Sequence, residues 1–274
     1  MRLNLFILKE IFYKYCYWLN YSLTIKLKYV QEILSNLVAE QQFLDQYLQS
    51  IPIRNWGLKT TYKNWDITAH VSYLAAIEDL TFNALKKNGS DFNKYKGQKG
   101  LEKFEKEAIK KGSTMRPQDV IEWWRMSRAS VIEVLAKSSP GKKITWWKNE
   151  LDYRSFATSK LAETWAHSLD IYDVTKKDYI DTTRIEHVAL FGMLNIESSA
   201  KHNKVKPKDL RVELIGPEYR AWQFGSEDSN DSIKGSASDW CRLVTGRLPK
   251  GSKPTLTAEG EFAQKFLKFN HIKI

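Results

Sequence analysis

A repeating apolar stripe is the feature that most constrains this fold. In "NWDITAHVSYLAAIEDLTFNALKK" the residues Ile67, Val71, Leu74, Ile77 and Leu80 recur every three or four positions, the spacing of one face of an α-helix. The same period marks Val30, Ile33, Leu34, Leu37, Phe43, Leu44 and Leu48, with Pro52 closing the segment. It returns in Val120, Ile121, Trp124, Val131 and Leu135, where Pro117 suits a first helical turn. After the turn "SSPGKK", residues 155–174 read as a fourth helix. "TTRIEHVALFGMLNIESSA" reads as a fifth, with Thr182 or Thr183 as its cap. Long helices with one apolar face must cover one another, so the expected fold is mainly α, a four-helix bundle spanning residues 28–203.

Beyond residue 204 the texture changes. "LRVELIG", "YRAWQFG", "IKGSA" and "PTLTAEG" are short β-prone runs, while "SDWCRLVTGR", capped by Ser238, and "EFAQKFLKF" read as helices. Residues 204–274 are therefore expected to form a small α+β domain, reached through the lysine-rich link at 201–209. Residues 1–27 stand outside both units.

Composition removes several classes of function. With 274 residues, 42% of them hydrophobic and 13% aromatic, the chain has ample material for a core, and disorder is a poor reading. Its two cysteines, Cys16 and Cys241, lie far apart, which excludes a disulfide framework and suits a reducing cytoplasm. The net charge of +11 invites nucleic acid as a partner. However, the densest lysine region, residues 86–112, interleaves its lysines with acids and offers no stacking platform around Phe92, Tyr95 and Phe104. A solvated face is the better reading there, and nucleic-acid binding is unlikely. The N-terminus is apolar and basic, but its longest uncharged run, Tyr15 to Ile25, is far short of the ~20 residues a spanning helix needs. It carries no small-residue cleavage site. It reads as an amphipathic extension touching a membrane or the bundle, or as an upstream start codon on a soluble protein.

The chemistry lies in "KLAETWAHSLDIYD", residues 160–173. Glu163 and His167 stand four apart, so one helical face aims a carboxylate and an imidazole at one point, and Asp170 follows close to the same stripe. Such pairs are common surface neighbours. His70 alters that balance, because it falls between Ile67 and Leu74 on the inward stripe of a different helix. Two facing helices that each aim a ligand-type side chain inward are how bundles build metal sites. A His/His/Glu set suits zinc with an open fourth position, and nickel or iron would accept the same donors. Asp170 would orient His167 from the second layer. His187 and His202 read as ordinary helix and linker residues, and the tryptophans as core packing.

Three motifs in order, "WDITAHVSYLAAIEDL", "LAETWAHSLDIYDV" and "SDWCRLVTGR", resemble the mycothiol-dependent maleylpyruvate isomerase-like proteins of the DinB superfamily. The resemblance runs from about residue 28 to the end. It is nearer to an uncharacterised metal-binding branch carrying "ETWAH" and a sterol-carrier-like tail than to the isomerases themselves. It implies a bundle holding a divalent metal, usually zinc, through a histidine matched by His70 and an E-x-x-x-H pair matched by Glu163 and His167. It also implies an arginine of the active cleft, matched by Arg247, with Arg242 in reserve.

From these expectations follows a metal-dependent isomerase or transferase that holds a low-molecular-weight thiol as its thiolate and acts on a small anionic substrate. The lysine- and asparagine-rich composition points to a host whose thiol differs from mycothiol. A rival expectation is a non-catalytic protein in which the metal is structural and the tail holds an apolar or acyl ligand. Substrate and oligomeric state are not legible.

Overall fold

The computed structural model describes residues 31–274 apart from 88–89, 139–141, 147–148, 250 and 270–274. The expectations for residues 1–27, and for Cys16, lie outside the described residues.

Four helices form the bundle: α1 (31–50), α2 (Ile67–Lys86), α4 (Pro117–Ala136) and α5 (Tyr153–Val174). All four contribute to one buried cluster, with Leu44 and Leu48 from α1, Val71 and Leu74 from α2, Val120 and Trp124 from α4, and Ile171 from α5. Each such side chain contributes about 1.5–3 kcal/mol by leaving water. Pro117 occupies the first turn of α4, as its fixed φ favours. Asp66 caps α2 by accepting from the Ala69 amide at 2.8 Å, and Asp152 caps α5 by accepting from the Ser155 amide at 3.0 Å. Helix α5 is the central element, so even Lys160, Thr164, His167, Ser168 and Asp170 are buried on it.

The region 86–112 is more ordered than a solvated face. It contains a 3₁₀ turn, Ser90–Tyr95, and the helix α3 (Gly97–Gly112), whose Phe104 packs with Phe92 and Tyr95 against Ile77 and Leu80 of α2. Its lysines cover the outside, and three aromatics spread over the segment form its inner face. Gly112 lets α3 approach α2 closely, since a Cβ there would stand 1.7 Å from the Ser72 hydroxyl. After α4 an antiparallel hairpin, β1 (Lys143–Trp146) with β2 (Asn149–Asp152), feeds directly into α5.

Helices α6 (Ile185–Leu194) and α7 (Ile196–His202) complete the helical part. Position Arg184, not a threonine, is the N-cap of α6; the Thr182 hydroxyl instead accepts from the Arg184 amide at 3.4 Å. The tail is a four-stranded sheet of order β4-β3-β5-β6: β3 (Arg211–Ile215), β4 (Ala221–Phe224), β5 (Ser232–Ser236) and β6 (Leu256–Glu259). β3 pairs antiparallel with β4 and parallel with β5, Val212 opposite Phe224 and Ile233. The sheet is covered by α8 (Ala237–Val244) and α9 (Glu261–Phe266), where Trp240 stacks on Phe266 at 5.6 Å. Because β5 runs to Ser236, that residue caps α8. Ser238 lies already inside the helix and donates to Asp181 at 2.5 Å.

The sheet's interior is continuous with that of α5 and α6: Val212, Ile233, Trp240 and Phe262 belong to the same buried cluster as Phe156, Trp165 and Val188. Polar ties fix the junction, the Trp240 indole donating to the Ala189 carbonyl at 3.1 Å and Arg242 pairing with Asp181 at 2.7 Å. Cys241 is buried there, with its thiol pKa pushed up by burial, so it is no nucleophile. The architecture is mainly α with a small α+β part. Its consequence is that the turn after α8 lies against the polar face of α5.

Candidate functional site

Before α2 the chain makes a tight turn. The Thr60 amide donates to the Trp65 carbonyl at 2.7 Å, and Lys59 bridges to Asp66. Lys63 and Asn64 adopt left-handed φ of 49° and 57°, a conformation that non-glycine residues hold only under constraint. The turn thereby buries Tyr62 and Trp65 over the first turn of α2. The Tyr62 ring centre lies 5.6 Å from that of His70 and 5.4 Å from that of His167. Trp65 stacks on His167 at 6.2 Å, and Tyr73 approaches the same imidazole at 5.2 Å.

His70 of α2 and His167 of α5 are fully buried and meet through their Nδ1 atoms at 2.8 Å. The Thr60 hydroxyl fixes their tautomers. It has one proton, and carbonyl oxygens of Trp65 at 3.0 Å and Tyr62 at 3.2 Å stand ready to accept it. With the hydroxyl proton directed at one of these carbonyls, His70 Nε2, 2.8 Å from the same oxygen, is the donor, and that arrangement leaves a lone pair on its Nδ1. His167 donates from its own Nδ1 into that lone pair. Its Nε2 is left as a buried lone pair without a hydrogen-bond partner among the described residues.

Both rings are neutral at pH 7. Burial, assisted by the Arg247 charge, lowers the His70 pKa to about 3, and burial followed by His70, Arg247, Lys63 and Lys160 puts His167 well below its ordinary value. Burial also takes His187, which accepts from the Asn36 amide group at 2.9 Å, down to about 4. A histidine whose pKa falls on folding binds fewer protons than in the unfolded chain between the two values. Its contribution is complete above about pH 6.5 and is lost as pH falls towards 4, at up to about 1.4 kcal/mol per pH unit each. The metal-free protein is expected to have a clearly lower urea midpoint at pH 5 than at pH 7. An unchanged midpoint would contradict neutral burial of these rings.

The third group at this point is Asp170. Its Oδ2 lies 4.0 Å from both Nδ1 atoms, so His70, His167 and Asp170 place ligand atoms within 4.8 Å of one another. Arg247 holds the same oxygen, with Nη2 at 2.9 Å and Nε at 3.3 Å, and a third N–H donates to the Thr245 carbonyl at 2.8 Å. Its guanidinium stands 4.4 Å from the Tyr62 ring centre. Arg242 does not reach this centre, because Asp181 takes it.

Of the residues expected from the sequence, the structure brings together His70, His167 and Arg247, with Asp170 between them. Glu163 faces a neighbouring cluster, where it accepts from the Tyr73 hydroxyl at 3.1 Å and from Lys160 at 2.6 Å. Thr60, Tyr62, Trp65 and Lys160 escaped sequence reasoning. The only signals were the aromatic pair ahead of the cap Asp66 and a lysine three residues before Glu163.

The donor set suits a divalent cation. It offers two neutral, buried imidazoles and carboxylates within one helical turn; the His70 Nδ1 lone pair is taken by the hydrogen bond between the rings, and the His167 Nε2 lone pair has no partner among the described residues. An ion bound by both rings would replace the 2.8 Å hydrogen bond between them, since one proton now lies between the two Nδ1 atoms.

Comparison with known proteins places this geometry. Residues 37–172, from α1 to the last turn of α5, match the family described as mycothiol maleylpyruvate isomerase N-terminal domain. Uncharacterized proteins of two Mycobacterium tuberculosis strains are 28% identical over 238 residues, covering 85% of this chain and 92% of theirs. The fold is shared with crystal structures of the mycothiol-dependent maleylpyruvate isomerase. One of these aligns with a TM-score of 0.56 at 15% identity, over 84% of this chain and 92% of that one. A mutant form gives 0.57 at 14% identity, over 82% and 95%.

Proposed function

Since residues 37–172 match the family of mycothiol maleylpyruvate isomerase N-terminal domains, we propose that the chain is a thiol-dependent enzyme of the isomerase or transferase type acting on a small anionic substrate. The observation that carries the reading is a buried arginine, Arg247, 4% exposed and aimed through Asp170 at a pair of neutral imidazoles. A guanidinium beside the Tyr62 ring is suited to an anionic group, to which it would offer the N–H bonds that Asp170 and the Thr245 carbonyl do not take.

His70, His167 and Glu163 are the residues proposed to hold a divalent ion, with zinc as the expected metal. Asp170 is left to Arg247, whose two N–H groups already occupy its inward oxygen. A bound cation removes the proton from a coordinating thiol and keeps it as a thiolate at neutral pH. The chain's own residues do the rest. Thr60 keeps the His70 Nδ1 lone pair inward, Tyr62 and Trp65 exclude water, and Arg247 orients the substrate's charge.

No helix among the described residues is long and apolar enough to cross a membrane. The proposed setting is a reducing compartment that maintains small thiols, and the partners are that thiol and the substrate. The test is titration of bacillithiol, glutathione and mycothiol into the cobalt-loaded protein. A sulfur-to-cobalt charge-transfer band with one of them supports the proposal and identifies the thiol. Spectra indifferent to all three, with the ion retained, would contradict thiol dependence and leave a structural metal.

The orienting role of Thr60 is separately testable. Thr60→Val removes the acceptor for His70 Nε2–H and is expected to weaken zinc binding by about 10- to 100-fold, with Thr60→Ser close to wild type. Equal affinities in a chelator competition would remove Thr60 from the site.

A further inference from the structure

Next to the imidazole pair, the bundle buries a second charged cluster that metal binding by itself does not explain. Lys160 and Glu78 are each 1% exposed, and burying two charges costs several kcal/mol each unless they are well paired. Lys160 Nζ lies 2.6 Å from Glu163 Oε2 and 3.2 Å from Glu78 Oε1. Glu78 Oε1 also receives the Gln41 amide at 3.5 Å. Glu78 Oε2, although buried, accepts no hydrogen bond from the described residues. From α4, Arg128 contributes a further attraction to Glu78, but its own partner is Asp45.

One ammonium is therefore shared between two carboxylates, and the carboxylate it holds closer is the one in the E-x-x-x-H pair. We infer that Lys160 and Glu78 act as an internal counter-ion relay, in which Lys160 holds Glu163 away from the imidazoles in the metal-free protein and passes to Glu78 when Glu163 turns to a divalent cation. The inference rests on the reading that Glu163 is a metal ligand. Without Glu78, releasing Glu163 would take the nearer of its two carboxylates from a buried ammonium with no second one to replace it. With it, the pair left behind is neutral, and the unfilled Oε2 takes the donor that Glu163 gives up. Lys160 and Glu78 are thus positioning residues, acting on the metal through Glu163, and the relay sets how readily the centre fills.

The sign of two substitutions distinguishes a relay from simple packing. Glu78→Gln removes the carboxylate that would take Lys160 over from Glu163, so zinc affinity, measured by competition with a chromophoric chelator on the full chain, is expected to fall at least about tenfold. The double variant Lys160→Met with Glu78→Leu removes the restraint together with its counter-charge. It is expected to bind zinc as tightly as wild type or more tightly, and to remain measurable if Glu78→Gln proves too unstable to purify. A purely structural cluster would change thermal unfolding in both variants but leave zinc affinity within about threefold of wild type. That result, or a double variant weakened about tenfold, would overturn the relay. Glu163→Gln in the same assay separates the two levels. If it binds zinc like wild type, the ligand reading itself fails. If it loses zinc while Glu78→Gln does not, only the relay fails.

Discussion

Replacing His167 with alanine is expected to leave the purified protein without a stoichiometric divalent ion, while His187→Ala keeps it. Both rings are buried histidines with lowered pKa values, so a loss due merely to a cavity would appear in both. His167 stands 2.8 Å from His70 with a carboxylate 4.0 Å away and a ring nitrogen that no described residue satisfies. His187 has Asn36 as its partner. Without His167, two of the three proposed donors come from different helices with no shared hydrogen bond to hold them together. Metal analysis of the two variants, each checked for native helicity, decides the matter. Full occupancy in His167→Ala would remove the centre from this position.

The second large effect belongs to Arg247. Its side chain is 4% exposed and that of Asp170 6%, so the pair is a buried one. Removing one partner leaves an uncompensated charge, at a cost of about 3–5 kcal/mol. Arg247→Met is therefore expected to lower the urea midpoint sharply and to abolish turnover of an anionic substrate. Arg247→Met with Asp170→Leu should recover much of the stability and none of the activity. That division is the signature of a residue used for binding as well as for folding. A variant with near-wild-type stability and activity would show that Arg247 does neither.

Much of this was legible in the chain. The stripes of α1, α2 and α4 gave the bundle because burial of one face determines their period, and His70 could be placed inward by its neighbours Ile67 and Leu74. The histidine pair followed from the same reasoning. What the pattern could not reveal was which carboxylate side chain points where. Glu163 and Asp170 are both within one turn of His167, and their choice of partner depends on Lys160 in one case and on Arg247, 77 residues further along the chain, in the other. The roof of the site was equally hidden. Tyr62 and Trp65 sit in a turn whose backbone is held by Thr60 and by two left-handed residues, a tertiary feature without a periodic signal. Helix α3 was concealed by its own lysines, since only Phe104, Ala108 and Gly112 of its residues are buried.

The caps show the same limit on a smaller scale. Pro117 could be placed because its ring suits only the first turn. Ser238 could not, because serines at 236 and 238 both precede the apolar run, and only the end of strand β5 selects Ser236.

The central claim is that two helices of the bundle bring His70, His167 and Glu163 to one divalent ion. A crystal structure of the zinc-loaded protein, with the ion located by its anomalous signal, tests it most directly. The expected result is one strong peak bonded to His70, His167 and Glu163, with Lys160 moved onto Glu78 and Asp170 still bound to Arg247. A peak coordinated without either imidazole, or no peak at this position in protein shown to contain zinc, would contradict the account.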